Sequence, residues 1–215
     1  MSTLNVKKVL NNNVLIAVHE SYGEVVLIGK GIGFNRKKGD PIQNDIAEKM
    51  FVLKGEKEQE QYKNLLPFLN DDMSNVIISA IELIRKRTNS FLNEHIHIAL
   101  TDHILFAINR LMRGMEIRNP FLVETRTLYP FEYEIAREVV SMINEMTDVH
   151  LPEGEVGFIA LHIHSAMMNK DLSEVNQHSQ LISRLIGMIE QQLDVEINKE
   201  SVDYMRLIRH IRYTI

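Results

Sequence analysis

Apolar and polar positions alternate over short runs at the start of the chain and recur at helical spacing from about residue 60 onward. Asn5–Leu10, Val14–His19, Glu24–Ile28 and Lys49–Leu53 are brief and rich in Val, Ile and Leu, the composition of β-strands. Asn11-Asn12-Asn13 joins the first two runs and Ser21-Tyr22-Gly23 the next two, and both suit tight hairpin turns. After a charged junction, Glu56 to Glu60, the spacing predicts helices over Gln61–Leu69, Met73–Arg87, Asn93–Arg113, Pro130–Met146 and Pro152–Met168. Asn119–Tyr129 is predicted as a polar-flanked loop whose apolar residues pack down on the helices. From Asp171 the pattern begins again, with helices over Leu172–Leu193 and Glu200–Ile211. The fold class is therefore α+β and multidomain. A small antiparallel sheet occupies residues 1–55, a five-helix bundle 61–170, and the start of a second helical unit 171–215.

The helix from Asn93 to Gly114 organises the bundle. Asn93 suits an N-cap, Glu94 the first turn and Gly114 the stop. Ile96, Leu100, Ala107 and Leu111 form one apolar stripe, and His103 sits inside it. A buried, unpaired histidine costs free energy, so the position is an expensive one to fill this way. In Gly157-Phe-Ile-Ala-Leu-His162-Ile-His the arrangement recurs: His162 follows Phe158 by four residues and Leu161 by one. Two helices that each aim one histidine at a shared interior can form a paired site. The plain alternative is a satisfied core histidine. Metal ligation is disfavoured, because His95 and His97, or His162 and His164, lie about 200° apart around a helix. No His-Glu-x-x-His and no cysteine is present to complete a zinc set.

Charge changes the picture. The net charge of −5 divides unequally: residues 1–55 hold eight Lys/Arg against five Asp/Glu, +3, leaving 16 basic and 24 acidic residues, −8, for the rest. A basic head on an acidic body suits an anion-binding module joined to one that does not bind polyanions. Zero cysteines exclude disulfides and fit a reducing cytoplasm. The longest apolar run is Val14–Val18, too short for membrane insertion or a signal-peptide core.

Within the head, Gly29-Lys-Gly-Ile-Gly-Phe-Asn-Arg-Lys-Lys-Gly39 separates the third and fourth strands. Three glycines in five residues let a backbone approach a ligand. Phe34 offers a stacking face, and Lys30, Arg36, Lys37 and Lys38 offer phosphate contacts. Aromatic and basic groups on a small sheet commonly hold unpaired RNA bases, although a charged surface loop has the same composition. No helix opens behind the glycines, so they are not a dinucleotide fingerprint. Poor helical periodicity here also argues against a helix-turn-helix reader of DNA.

Val6-Lys-Lys-Val-Leu-Asn-Asn-Asn-Val14, Leu27-Ile-Gly-Lys-Gly-Ile-Gly-Phe34 and Glu48-Lys-Met-Phe51 resemble the co-antiterminator RNA-binding domain of the BglG/SacY/LicT family of transcriptional antiterminators. The chain after residue 60 resembles that family's phosphotransferase-system (PTS) regulation domains. Leu100-Thr-Asp-His-Ile104 and Phe158-Ile-Ala-Leu-His-Ile163 are similar to the segments that carry phosphorylatable histidines. Lys57–Leu66 and Asn93–Ile104 look like the family's glucose-operon members. The resemblance implies a homodimer that binds an RNA hairpin overlapping a terminator and so lets transcription continue. It carries RNA contacts onto Lys8, Asn13, Gly29, Lys30 and Phe34. Some relatives have Arg at position 30, and Lys keeps the charge but loses the planar fork. It also implies phosphorylation of His103 and His162 by phosphocarrier protein HPr and a sugar-specific enzyme II, here the glucose permease. Tyr204-Met-Arg-Leu-Ile-Arg-His210-Ile resembles the first histidine segment of a second regulation domain, so His210 is a third candidate. On that reading residues 171–215 are the beginning of a domain that the chain does not complete. No cofactor and no enzymatic activity are implied.

The alternative is a hydrolase or phosphotransferase using His103 and His162 as base and nucleophile. No Ser, Cys or carboxylate stands at a recognisable spacing except Asp102. Neighbouring helical residues point about 100° apart, so Asp102 is poorly placed to orient His103.

Overall fold

The computed structural model describes residues 3–43, 46–47, 49–52, 65, 68–89, 92–93 and 95–214. It comprises two compact units, Met1–Ser79 and Ala80–Ile215.

The first unit is built on a five-stranded antiparallel sheet of β1 (Thr3–Val9), β2 (Val14–His19), β3 (Gly23–Ile28), β4 (Pro41–Gln43) and β5 (Lys49–Val52), in the order β4-β1-β2-β3-β5. The β2–β3 hairpin keeps an unbroken register from Val14 opposite Ile28 to His19 opposite Gly23. Gly23 takes the positive φ of 72° that its turn needs. Side-chain alternation places Leu15, Ala17, Val25 and Leu27 on one face, where they pack with Leu4, Val6, Ile32 and Ile42 as the core. Strand β4 lies between the third and fourth predicted strands, where no strand is predicted. Three residues are too few to show an alternation, and the leading proline fits only an edge position. The candidate helix Gln61–Leu69 and the junction 56–60 fall largely outside the described residues. Leu65 and Leu69 are described, and both are buried.

Helix α1 (Asp71–Thr88) begins in the first unit, with Asp71 and Asp72 in its first turn and Arg85, Lys86 and Arg87 in its last. Those charges complement the helix dipole at both ends. The second unit holds the remainder of α1 with α2 (His95–Met112), α3 (Leu122–Leu128), α4 (Pro130–Met146), α5 (Glu153–Met168), α6 (Leu172–Leu193) and α7 (Val202–Thr214). Helix α5 packs against α2, α3, α4 and α6. It is buried nearly all round, including Ile159, Ala160, Leu161 and Ile163. The predicted loop 119–129 is corrected here: Leu122–Leu128 is helical, although its apolar residues do pack down as expected. Phe121 makes no side-chain cap, and Val123, Thr125 and Thr127 are weak helix formers. Burial decides the conformation instead, with Thr125 and Leu128 buried. Helices α6 and α7 close a further core of Leu128, Tyr129, Leu161, Val175, Ile182, Ile186, Tyr204 and Ile208.

In the turn after β3, a β-carbon added at Gly33 would collide with the Asn11 carbonyl and crowd the Val9 side chain. Gly33→Ala should therefore destabilise the first unit by about 1–3 kcal/mol. The measurement is hydrogen exchange, and the β2 amides should lose protection while those of α4 and α5 do not.

Candidate nucleic-acid interface and buried histidine cluster

In the first unit, two turns are laced together by backbone bonds. Gly29 N–H donates to the Asn13 carbonyl at 3.0 Å, and Gly33 N–H donates to the Asn12 carbonyl at 2.9 Å. Gly31 at φ 70° and Asn35 at φ 54° fold the second turn back on itself. Asn13, Gly29, Lys30 and Phe34 are thereby brought together. Lys8 stands exposed on β1, opposite Ile16. Phe34 is 64% exposed, a large aromatic surface that packing does not require. Lys30 also faces solvent, whereas Gly29 and Asn13 are buried. The Asn13 amide braces the turn: its Oδ1 accepts from Gly31 N–H at 2.9 Å, and its Nδ2 donates to Asn75 Oδ1 at 3.1 Å. An exposed aromatic face on a loop that also carries Lys30, fixed by asparagines and glycines, can stack a base and neutralise phosphate.

In the second unit, His103 on α2 and His162 on α5 face each other, with ring centroids 5.0 Å apart. Phe158 lies on the same side, 5.8 Å from the His103 ring. His162 is buried, whereas the His103 side chain keeps 15% of its surface accessible. Between the helices sits Glu155, whose side chain has no accessible surface. One carboxylate oxygen is paired with the Arg110 guanidinium, and the other lies 3.0 Å from His103 Nε2. The latter contact is within ion-pair distance but off the hydrogen-bond axis. Burial pushes the Glu155 carboxyl up, yet the His103 and Arg110 interactions outweigh it and hold the group below its ordinary value. Burial, with the neighbouring His103, pushes His162 down to about 3, so its ring is neutral near pH 7. His97, on the same helix as His103, is likewise pushed down to about 3 by burial and Arg85.

The sequence reading missed Glu155 and Arg110. A signal was available: Arg110 follows His103 by seven residues and His162 follows Glu155 by seven, so each pair shares a helix face. Asp102 is exposed, and Glu155 rather than Asp102 meets His103. His210 is exposed on α7 and is not brought to the other two. A second buried histidine, His164, went unassigned. Its Nδ1 lies 2.8 Å from Glu132 Oε1, and its ring centroid lies 4.0 Å from that of Tyr129 at a 35° tilt. Arg212 of α7 caps the Tyr129 ring at 5.2 Å and donates to the Leu128 carbonyl at 2.8 Å. Among the described residues, no group of His, Asp and Glu is arranged to hold a metal ion. No described helix is long and apolar enough to cross a membrane.

The family profile for the CAT RNA binding domain matches residues 4–60, and that for the PRD domain matches residues 78–166. The chain is 60% identical over 213 residues to the PtsGHI operon antiterminator of Bacillus subtilis (strain 168), covering 99% of this chain and 76% of that protein. It is 41% identical over 217 residues to the GlcA/glcB genes antiterminator of Staphylococcus carnosus (strain TM300), covering 100% and 76%. Among solved structures it is similar to the crystal structure of GlcT CAT-PRDI, with TM-score 0.68 and 59% identity, over 77% of this chain and 98% of that one.

The two neutral histidines give the second unit an acid sensitivity that precedes carboxylate titration. Unfolded His162 and His97 take up protons below about pH 6.5, and the folded ones do not until about 3. Unfolding therefore binds protons in that window, and stability falls as pH drops from 6.5. Each histidine contributes a slope of up to about 1.4 kcal/mol per pH unit. His162→Gln should flatten the slope between pH 5.5 and 4.5 by up to that amount, read as the change in denaturant midpoint of the second unit.

Proposed function

Because this chain belongs to the BglG/SacY/LicT family of transcriptional antiterminators, we propose that it binds an RNA hairpin overlapping a terminator and prevents termination of a glucose phosphotransferase-system operon. The operon class comes from relatives that are named as ptsGHI and glcA/glcB antiterminators. Residues 1–55 form the RNA-binding domain in this reading. Residues 61–170 form the first regulation domain and 171–215 the beginning of a second. The head acts as a homodimer, since five short strands bury little core and association is the usual remedy without metals or disulfides. Exposed Phe34 stacks a base, Lys8 and Lys30 meet phosphates, and the Asn13–Gly29 pairing sets the loop's shape.

The observation that carries the regulatory half is the burial of Glu155 between Arg110 and His103, with neutral His162 alongside. A neutral imidazole has a free nitrogen lone pair and accepts a phosphoryl group near neutral pH. HPr and the glucose permease are the donors. A phosphate on His103 or His162 adds about −1.5 to −2 charges beside an inaccessible carboxylate that has a single guanidinium partner. Like charges in a low-dielectric interior repel strongly, so the α2–α5 interface must repack. The protein is a regulator, not an enzyme, and His103 and His162 are acceptors. His210, exposed on α7, is a third acceptor in this reading.

The test is a titration of the terminator-overlapping leader hairpin of the Bacillus subtilis ptsGHI operon. Phe34→Ala should weaken binding by about 1–3 kcal/mol through lost stacking. Lys8→Ala should lower the salt slope by about one unit and weaken binding to unrelated hairpins as well. His103→Asp, or the wild type treated with HPr and the permease, should bind about five- to 150-fold more weakly. His103→Ala should be indifferent to phosphorylation at that position. Equal affinity across all the His103 proteins, treated and untreated, would remove the regulatory role from His103.

A further inference from the structure

We propose that the first turn of α1 is a built-in competitor for the RNA-contacting turn, with the Asp71 carboxylate occupying a site on Asn12 that an RNA phosphate would otherwise take. This rests on the RNA-binding reading above and adds a form of regulation to it.

All three asparagines of the β1–β2 turn are engaged with the segment that opens α1. Asn12 presents two donors to one anion: its backbone N–H reaches Asp71 Oδ1 at 2.9 Å, and its Nδ2 reaches Asp71 Oδ2 at 2.7 Å. Asn11 Nδ2 donates to the Leu69 carbonyl at 3.0 Å and to Ser74 Oγ at 2.7 Å. Asn13 Nδ2 is taken up by Asn75, as described above. A backbone N–H and a side-chain amide converging on two carboxylate oxygens make the fork that also grips two oxygens of a phosphodiester. The contact is exposed rather than buried, so another anion can exchange with Asp71 without unfolding the core.

Position gives the fork its meaning. The Asn12 carbonyl accepts from Gly33 N–H, the residue beside Phe34, and Asn13 accepts from Gly29 and Gly31. The fork is therefore on the loop pair that carries the stacking aromatic and Lys30. A carboxylate held there places a negative charge where a polyanion has to come in. A brace meant only to stiffen the turn could be neutral, as Ser74 and Asn75 are. Asp71, by contrast, both satisfies the donors and repels phosphate. The same helix continues through Ser79 into Ala80 and ends at Thr88 in the second unit. A repacking of the second unit that shifts this helix biases the Asp71 contact directly, and RNA binding biases it in the opposite sense.

The experiment measures affinity of the full chain for the same ptsGHI leader hairpin in wild type, Asp71→Ala, Asp71→Asn, Asp72→Ala and Phe34→Ala. Asp72 is the neighbouring exposed acid with the same charge and no bond to the turn. If Asp71 competes, Asp71→Ala tightens binding by about five-fold or more, the low end of ordinary couplings between sites. Asp71→Asn should tighten it less, and Asp72→Ala should change it little. In wild type, added hairpin should also leave the α1 first-turn amides less protected from hydrogen exchange. Weaker or equal binding by Asp71→Ala, while Phe34→Ala still weakens it, overturns the competition alone and makes the contact a brace. Equal gains from Asp71→Ala and Asp72→Ala overturn it too, since bulk charge then accounts for the effect. If Phe34→Ala leaves binding unchanged, the RNA face itself is misassigned and the competition falls with it.

Discussion

A carboxylate with no solvent contact at the centre of a helical bundle sets the terms for everything around it. Burying Glu155 ionised is costly unless its charge is met on the spot, and the fold meets it with Arg110 on one oxygen and His103 close to the other. Both partners come from α2, one face apart by two turns, so α2 and α5 are locked in register by charge as well as by apolar packing. His162 then occupies the remaining space beside His103 as a neutral ring. Removing Arg110 leaves an uncompensated buried charge, at a cost of about 3–5 kcal/mol. Adding a second anion does the same from the other side. A phosphoryl group added to a cluster balanced this closely would force a rearrangement, because close-packed interiors switch between packings rather than deform gradually.

The remainder of the second unit extends this logic. Tyr204 donates to the buried Glu124 carboxylate at 2.5 Å, and Arg212 reaches the Leu128 carbonyl. Helix α7 is thus fastened to α3, close to the His164–Glu132 pair. In the first unit the polar economy is different. Asparagine amides shape the turns that a glycine-rich backbone leaves free, and among the described residues no Lys, Arg, Asp or Glu of this unit is fully buried. A loop built this way presents Lys30 and the Phe34 ring outward while its backbone is held from within.

Much of this was legible in the sequence, for reasons that individual residues make plain. The period-2 runs gave β1, β2, β3 and β5, and the period-3.6 runs gave the long helices, with Leu172–Leu193 matched at both ends. His103 and His162 stood out because a polar residue inside an apolar stripe is conspicuous. Strand β4 was not legible, since Pro41–Gln43 has no periodicity of its own and forms only because β1 offers an edge. Helix α3 was hidden by its β-branched residues, whose weak local preference is overruled by burial against α4, α5, α6 and α7. Glu155 escaped notice because acids in a first helical turn are ordinary, and nothing local distinguishes one that turns inward. The engagement of Asn11, Asn12 and Asn13 by Asp71, Ser74 and Asn75 joins residues about 60 positions apart, beyond any spacing rule.

We propose that a phosphoryl group enters at the histidine pair flanking Glu155 and unsettles the bundle. The direct measurement is incubation of the chain with phosphorylated HPr and glucose permease, followed by mass mapping of phosphohistidine and hydrogen exchange on the same sample. Label is expected on His103 or His162, with protection lost along α2 and α5 and retained in β2 and β3. Label confined to exposed histidines such as His210, or label on His103 with α2 and α5 as protected as before, would contradict it.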